Sequence, residues 1–183
     1  MKNYMFTALL GMIEEPNRSL CHRLALENRH RFWASPGASH NHQAWRPGGY
    51  LAHIWDCMNY AANAYALEDE PLPFTLSDAL LVLFLHDLEK PWRYVEPRDG
   101  LASANTKAGG GRHQFRISKI KEYDIELTEA QSVALMYVEG EGDDYSGTKR
   151  VMNELAAFCH ICDVRSARIR WDGPRNITGR LYL

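Results

Sequence analysis

Apolar positions recur with a helical period along most of the chain, and one segment is apolar on every face. From Leu80 to Leu85 no polar residue interrupts, and the run ends abruptly in His86 and Asp87, with Pro91 close behind. A helix of that kind is central, enclosed by its neighbours. Thr75 to Asp78 supplies an N-cap with an acidic residue in the first turn. Pro91 cannot continue the helix and restricts Lys90, so it stops about where His86 and Asp87 stand. The run is too short to span a bilayer.

Two other strong patterns flank this helix in sequence. Tyr50 to Leu67 opens after Gly48 and Gly49, and His53, Cys57, Tyr60, Ala61 and Ala64 share a face by i, i+3 and i+4 spacing. Its alanines permit close helix approach, which turns His53 toward a neighbour. The last helix runs from about Thr148 to Ser166, and there Met152, Leu155, Ala156, Cys159 and Asp163 fall on or near one stripe. Asp163 therefore extends an apolar face.

The remaining segments are weaker. Tyr4 to Phe32 reads as one or two helices interrupted at Pro16 and Asn17, with Arg18, Arg23, Arg29 and Arg31 on a solvated face. Arg112 to Asp124 is a basic amphipathic helix containing His113, and Thr128 to Gln131 is a capping box that starts a helix reaching Glu139. Ala34 to Gly49 is a loop by composition, carrying His40, His42, Trp45 and Arg46. Trp92 to Gly111 has no period and is long for a connection, which suggests a functional or mobile loop over the site. Gly140 to Gly147 is a polar turn without calcium-loop spacing. The tail from Arg170 to Leu183 forms a short hairpin or an irregular closing segment.

Composition narrows the class. The chain of 183 residues, 45% hydrophobic and 24% charged, fits a single soluble globular domain over 1–183 with one sizeable core. A net charge of −2 argues against a dedicated DNA- or RNA-binding role, since no basic excess exists to neutralise phosphates. Cys21, Cys57, Cys159 and Cys162 lie on helical segments with no signal peptide before them, which suggests reduced thiols in a cytoplasmic protein. Cys159 and Cys162 form a lone CxxC, a weak zinc signal, and read as core thiols.

The chemistry lies where polar groups interrupt apolar faces. Burying an unpaired carboxylate costs several kcal/mol, so Asp87 and Asp163 need a cation, a hydrogen-bonding network or water. Taken alone, His86 and Asp87 read equally well as a capping pair, and His53 as a hydrogen-bonded core residue. Taken together, His53, His86, Asp87 and Asp163 form a mixed nitrogen and oxygen donor set suited to Mn, Fe, Co, Ni, Zn or Mg. On an octahedral ion, four such ligands leave positions open, as water activation and phosphate polarisation require.

The order His, His-Asp, Asp, in the contexts GGYLAHIWD, LFLHDLEKP and FCHICDVRSAR, resembles the HD-domain superfamily of metal-dependent phosphohydrolases. The likeness covers roughly Pro36 to Arg168. It implies a single-domain helical bundle of HD-domain type in which His53, His86, Asp87 and Asp163 bind one divalent cation. Metal-bound water would then attack the phosphorus of a small phosphorylated substrate, a nucleotide or related ester, as a phosphomonoesterase or phosphodiesterase. Glu89 or Asp87 would handle the proton. Lys90 would meet a phosphate oxygen or else neutralise the helix C-terminus, and Arg46 and Arg112 would add phosphate contacts. The loop holding His42 resembles the histidine-containing loop before the first ligand in some nucleotide-directed members. Some relatives hold a second metal through further histidines, where this chain offers His113 and Glu139. Two alternatives stay open: a non-catalytic metal-containing regulatory module, and a di-iron oxygenase that would need His113 and Glu139. The reading includes no membrane partner and leaves homo-oligomerisation open.

Overall fold

The computed structural model describes residues 2–38, 46–94 and 111–170. Its helices are α1 (Phe6–Leu10), α2 (Asn17–Glu27), α3 (Arg29–Ala34), α4 (Gly49–Tyr65), α5 (Leu76–Leu85), α6 (Lys90–Arg93), α7 (Gly111–Glu122), α8 (Glu129–Tyr137) and α9 (Glu154–Val164). A π-helical turn, Arg165–Arg170, continues from α9, and a 3-10 turn spans Gly142–Asp144. Among the described residues there is no strand, only an isolated bridge between Ser146 and Lys149. The architecture is all-α.

The apolar run behaves as its pattern requires, with every residue from Ala79 to Leu85 buried and His86 at the C-cap of α5. A reciprocal capping box starts the helix. Thr75 Oγ1 accepts from the Asp78 amide at 3.1 Å, and Asp78 Oδ2 accepts from the Thr75 amide at 2.7 Å. Gln131 Nε2 donates to Asp78 Oδ1 at 2.6 Å, which ties the start of α5 to α8.

α4 is buried far beyond one face, from Gly49 through Asn59 and again at Ala61 and Ala62. It packs on α1, α3, α5 and α9, so α4 and α5 share the central position. Gly48 enters α4 at φ 77°, a left-handed conformation that favours glycine. A Cβ on Gly37 would meet the Gly49 carbonyl oxygen at 2.6 Å, so glycine there lets the preceding loop lie against the start of α4. An aromatic cluster closes the core around Phe32, whose ring lies 5.1 Å from Tyr50, 6.4 Å from Phe84 and 6.2 Å from Trp92.

Several expected boundaries move. The N-terminal stretch forms three helices rather than one or two, because Asn28 turns the chain between α2 and α3 and bonds back to the Leu24 carbonyl at 2.9 Å. α9 begins at Glu154 instead of near Thr148, since Asn153 Oδ1 accepts from the Ala156 amide at 2.8 Å and caps it. α5 ends at Leu85 about where expected, but Lys90 is helical and Pro91 sits in the first turn of α6, where its missing N–H costs nothing, and it carries Trp92 into the core rather than a loop.

All four cysteines are buried and free of disulfides. No described helix is long and apolar enough to cross a membrane. His40, His42, Trp45, most of the loop expected between Trp92 and Gly111, and the closing tail from 171 onward lie outside the described residues.

Candidate metal centre

Three helices deliver polar groups to one buried point. His53 comes from α4, His86 and Asp87 leave the end of α5, and Asp163 stands in the last turn of α9. His53 Nε2 lies 3.0 Å from Asp163 Oδ1, 3.3 Å from Asp87 Oδ2 and 3.3 Å from His86 Nε2. His86 Nε2 lies 3.4 Å from Asp87 Oδ2 and 3.7 Å from Asp163 Oδ1. Both imidazoles and Asp87 are buried, and the Asp163 side chain is 17% exposed, enough to face a cleft.

The imidazole nitrogens outside the cluster have different partners. His86 Nδ1 is 2.7 Å from the Leu83 carbonyl. A carbonyl only accepts, so Nδ1 carries a proton; Nε2 donates to the carboxylates when it is protonated and has its lone pair free for a cation when it is not. His53 Nδ1 is 3.1 Å from Ser166 Oγ on the π-helical turn.

Protons stabilise this arrangement in the absence of a cation. Burial opposes charging His86, but the Asp87 charge and the hydrogen bond to Asp163 push its pKa up to about 9. His53 is likewise raised against the burial cost, by Cys57 and by hydrogen bonds to Asp163 and Asp87. Burial would raise Asp163, yet hydrogen bonds from His53 and His86 hold it below the usual carboxylate range. Asp87 is also held down, against burial, by Lys90 and His86.

A buried group of His53, Cys57, His86 and Asp163 offers one donor atom each within 4.8 Å of one another and could hold a metal ion. Cys57, at i+4 from His53 on the same face of α4, adds a donor to the set expected from the sequence. Its sulfur lies 3.8 Å from both nitrogens of His53, and so stands off the axis of the Nε2 lone pair. Burial pushes the Cys57 thiol pKa up, against the neighbouring His53.

A cleft of about 230 Å³ leads to His53, Asp87 and Asp163 past Lys90, Arg112, Glu139 and Arg168. Lys90 Nζ makes a short bond to Asp87 Oδ2 and donates to the Gly37 carbonyl at 2.8 Å. Glu139 sits at the rim, accepting from Arg116 at 2.6 Å and from Arg112 at 3.3 Å. Arg116 is a buried cation that also donates to the His86 carbonyl and lies 3.4 Å from Glu89. Glu89 is itself buried beneath it, off the cleft lining, and burial together with the Asp87 charge raises its pKa.

The structure thus brings His53, His86, Asp87 and Asp163 together and places Lys90, Arg112 and Glu139 around the cleft. Glu89 and His113 stand apart from the lining. The half-buried His113 has its pKa lowered by burial and by the neighbouring Arg116 charge. Arg46 is exposed just before α4, where its carbonyl accepts from Gly49 at 3.1 Å. His42 lies outside the described residues. Arg116, Ser166 and Arg168 join the site unannounced by the sequence. Ser166 stands at i+3 from Asp163, a spacing that could have flagged it, whereas nothing in their spacing separates Arg116 and Arg168 from the other arginines. No protein-family model, curated protein or solved structure matches the chain.

Proposed function

We propose that the chain is a metal-dependent phosphohydrolase of HD-domain type, acting on a small phosphate ester such as a nucleotide. The observation that carries this reading is the convergence of two imidazole Nε2 atoms and two carboxylates, 3.0 to 3.7 Å apart, at the base of a cleft. Ligands bonded at about 2.1 Å to one cation stand about 3.0 to 3.4 Å from each other, and all of these separations but the 3.7 Å between His86 and Asp163 fall in that range. His53, His86, Asp87 and Asp163 are the proposed ligands. Cys57 offers a further donor within 4.8 Å of those of His53, His86 and Asp163.

A divalent ion held there supplies Lewis-acid polarisation of a phosphoryl oxygen and acidifies water. The chain's own groups account for substrate choice. Three carboxylates in the lining (Asp87, Glu139, Asp163) balance three cations (Lys90, Arg112, Arg168), so a bound divalent ion leaves the cleft positive by two charges. That balance suits a phosphate dianion. Lys90, held by Asp87 and Gly37, orients Asp87 and presents a positive charge at the wall. Of the two carboxylates considered for proton handling, Asp87 faces the cleft and Glu89 does not. The di-iron oxygenase reading loses support because both oxygens of Glu139 are engaged by arginines and His113 is off the lining.

Hydrolysis tests the proposal. With Mn²⁺, Ni²⁺ or Zn²⁺, the protein should release p-nitrophenol from its phosphate monoester or from the bis-ester, and Asp87→Asn, which keeps the shape, should lose at least about 100-fold of that rate. Ligand-dependent thermal stabilisation by nucleotides with no product from any of them would favour a regulatory module instead.

A further inference from the structure

Ser166 is fully buried and is the third residue after Asp163, within the π-helical turn that leaves α9. The two grip one imidazole from opposite ends: Asp163 Oδ1 is 3.0 Å from His53 Nε2, and Ser166 Oγ is 3.1 Å from Nδ1. π-helical turns commonly mark functional sites. This one is pinned to the helix that carries His53. The Arg165 guanidinium lies 4.1 Å over the Tyr60 ring and 3.7 Å from Asp56 Oδ2, and both partners belong to α4.

A neutral imidazole has one N–H. If it is on Nδ1, Nε2 is free to bind a cation; if it is on Nε2, the ligand is lost. At His86 the Leu83 carbonyl settles the choice, because it can only accept. At His53 the partner is a hydroxyl, which can accept or donate.

We infer that Ser166 is a positioning residue for the metal centre: its hydroxyl oxygen accepts the Nδ1 proton of His53 and so keeps Nε2 facing Asp87, Asp163 and His86. The inference rests on the metal-binding reading above. Losing this contact leaves the buried N–H only the weakly accepting Cys57 sulfur at 3.8 Å and loosens the ring's tautomer, both of which weaken metal binding without removing a ligand.

Titration calorimetry with Zn²⁺ on the full chain tests it. Ser166→Ala should weaken Kd about 10-fold with helical circular dichroism intact, and Ser166→Thr, which keeps the hydroxyl, should recover most of that loss. Nitrogen-15 spectra of the zinc-loaded protein should show the His53 Nδ1–H resonance displaced in Ser166→Ala and restored in Ser166→Thr, a readout that a merely structural serine would not move. An unchanged Kd in folded Ser166→Ala, or an Nδ1–H resonance that does not respond to the substitution, overturns the inference alone. Failure of the wild type to bind Zn²⁺ overturns the metal reading and this inference with it.

Discussion

Each carboxylate at the centre has a histidine within 3.4 Å, and the same atoms compete for protons and for a cation. That competition sets a pH dependence. Burial opposes charging His86, but Asp87 and Asp163 raise its pKa from 6.5 to about 9. A group whose pKa rises on folding stabilises the fold fully below its unfolded value, and loses that contribution as pH climbs through its folded value. Asp163, depressed on folding, acts in the opposite sense, stabilising above the ordinary carboxylate range and losing its contribution as acid approaches. Kept ion-free with a chelator, the protein should therefore show a Tm that falls between pH 6.5 and about 9. With Zn²⁺ added, the gap between loaded and chelated Tm should widen over the same window, because protons leave the ligands. Calorimetric scans in matched buffers would read both trends; a gap that narrows with rising pH would argue against histidine ligation.

Among the elements, α5 was the most legible, because a residue run apolar on all faces has one stable place and a proline fixes its end. The Thr75 N-cap was readable because Asp78 lies only three residues on, and the structure adds the reciprocal bond that makes the pair a capping box. Thr75→Ala should cost about 1 kcal/mol of stability and leave metal affinity unchanged, since the cap is at the far end of α5 from His86. Denaturant unfolding beside a metal titration would check it, and a large loss of affinity would mean that the end of α5 is not held independently. α9 was legible in its buried face but not in its start, because Asn153 caps it after a stretch whose composition still allows helix. The end of α5 falls where expected, whereas Pro91 opens α6 instead of a loop, because a proline fits the first turn of a helix as readily as it ends one. Long-range pairing was invisible: Arg116 reaches His86 and Glu139 from 30 and 23 residues away, and no local period encodes such contacts.

At the scale of the whole molecule, the fold brings three distant segments together at the ends and faces of α4, α5 and α9. The ligand candidates were legible because each placed a polar group on an apolar face, at a cost that some partner had to offset. What the sequence did not encode was their surroundings: the thiol beside His53, the buried arginine under the His-Asp pair, and the serine behind the ring. The metal-binding cluster is the claim on which the other functional statements depend. Elemental analysis of the purified protein beside Asp163→Ala and Asp87→Asn tests it most directly. The account predicts about one equivalent of a divalent transition metal in the wild type and little in either variant, with helical circular dichroism retained. No metal in the wild type, even after soaking with Mn²⁺, Ni²⁺ or Zn²⁺, would mean that protons alone hold the cluster together, and would contradict the hydrolase reading.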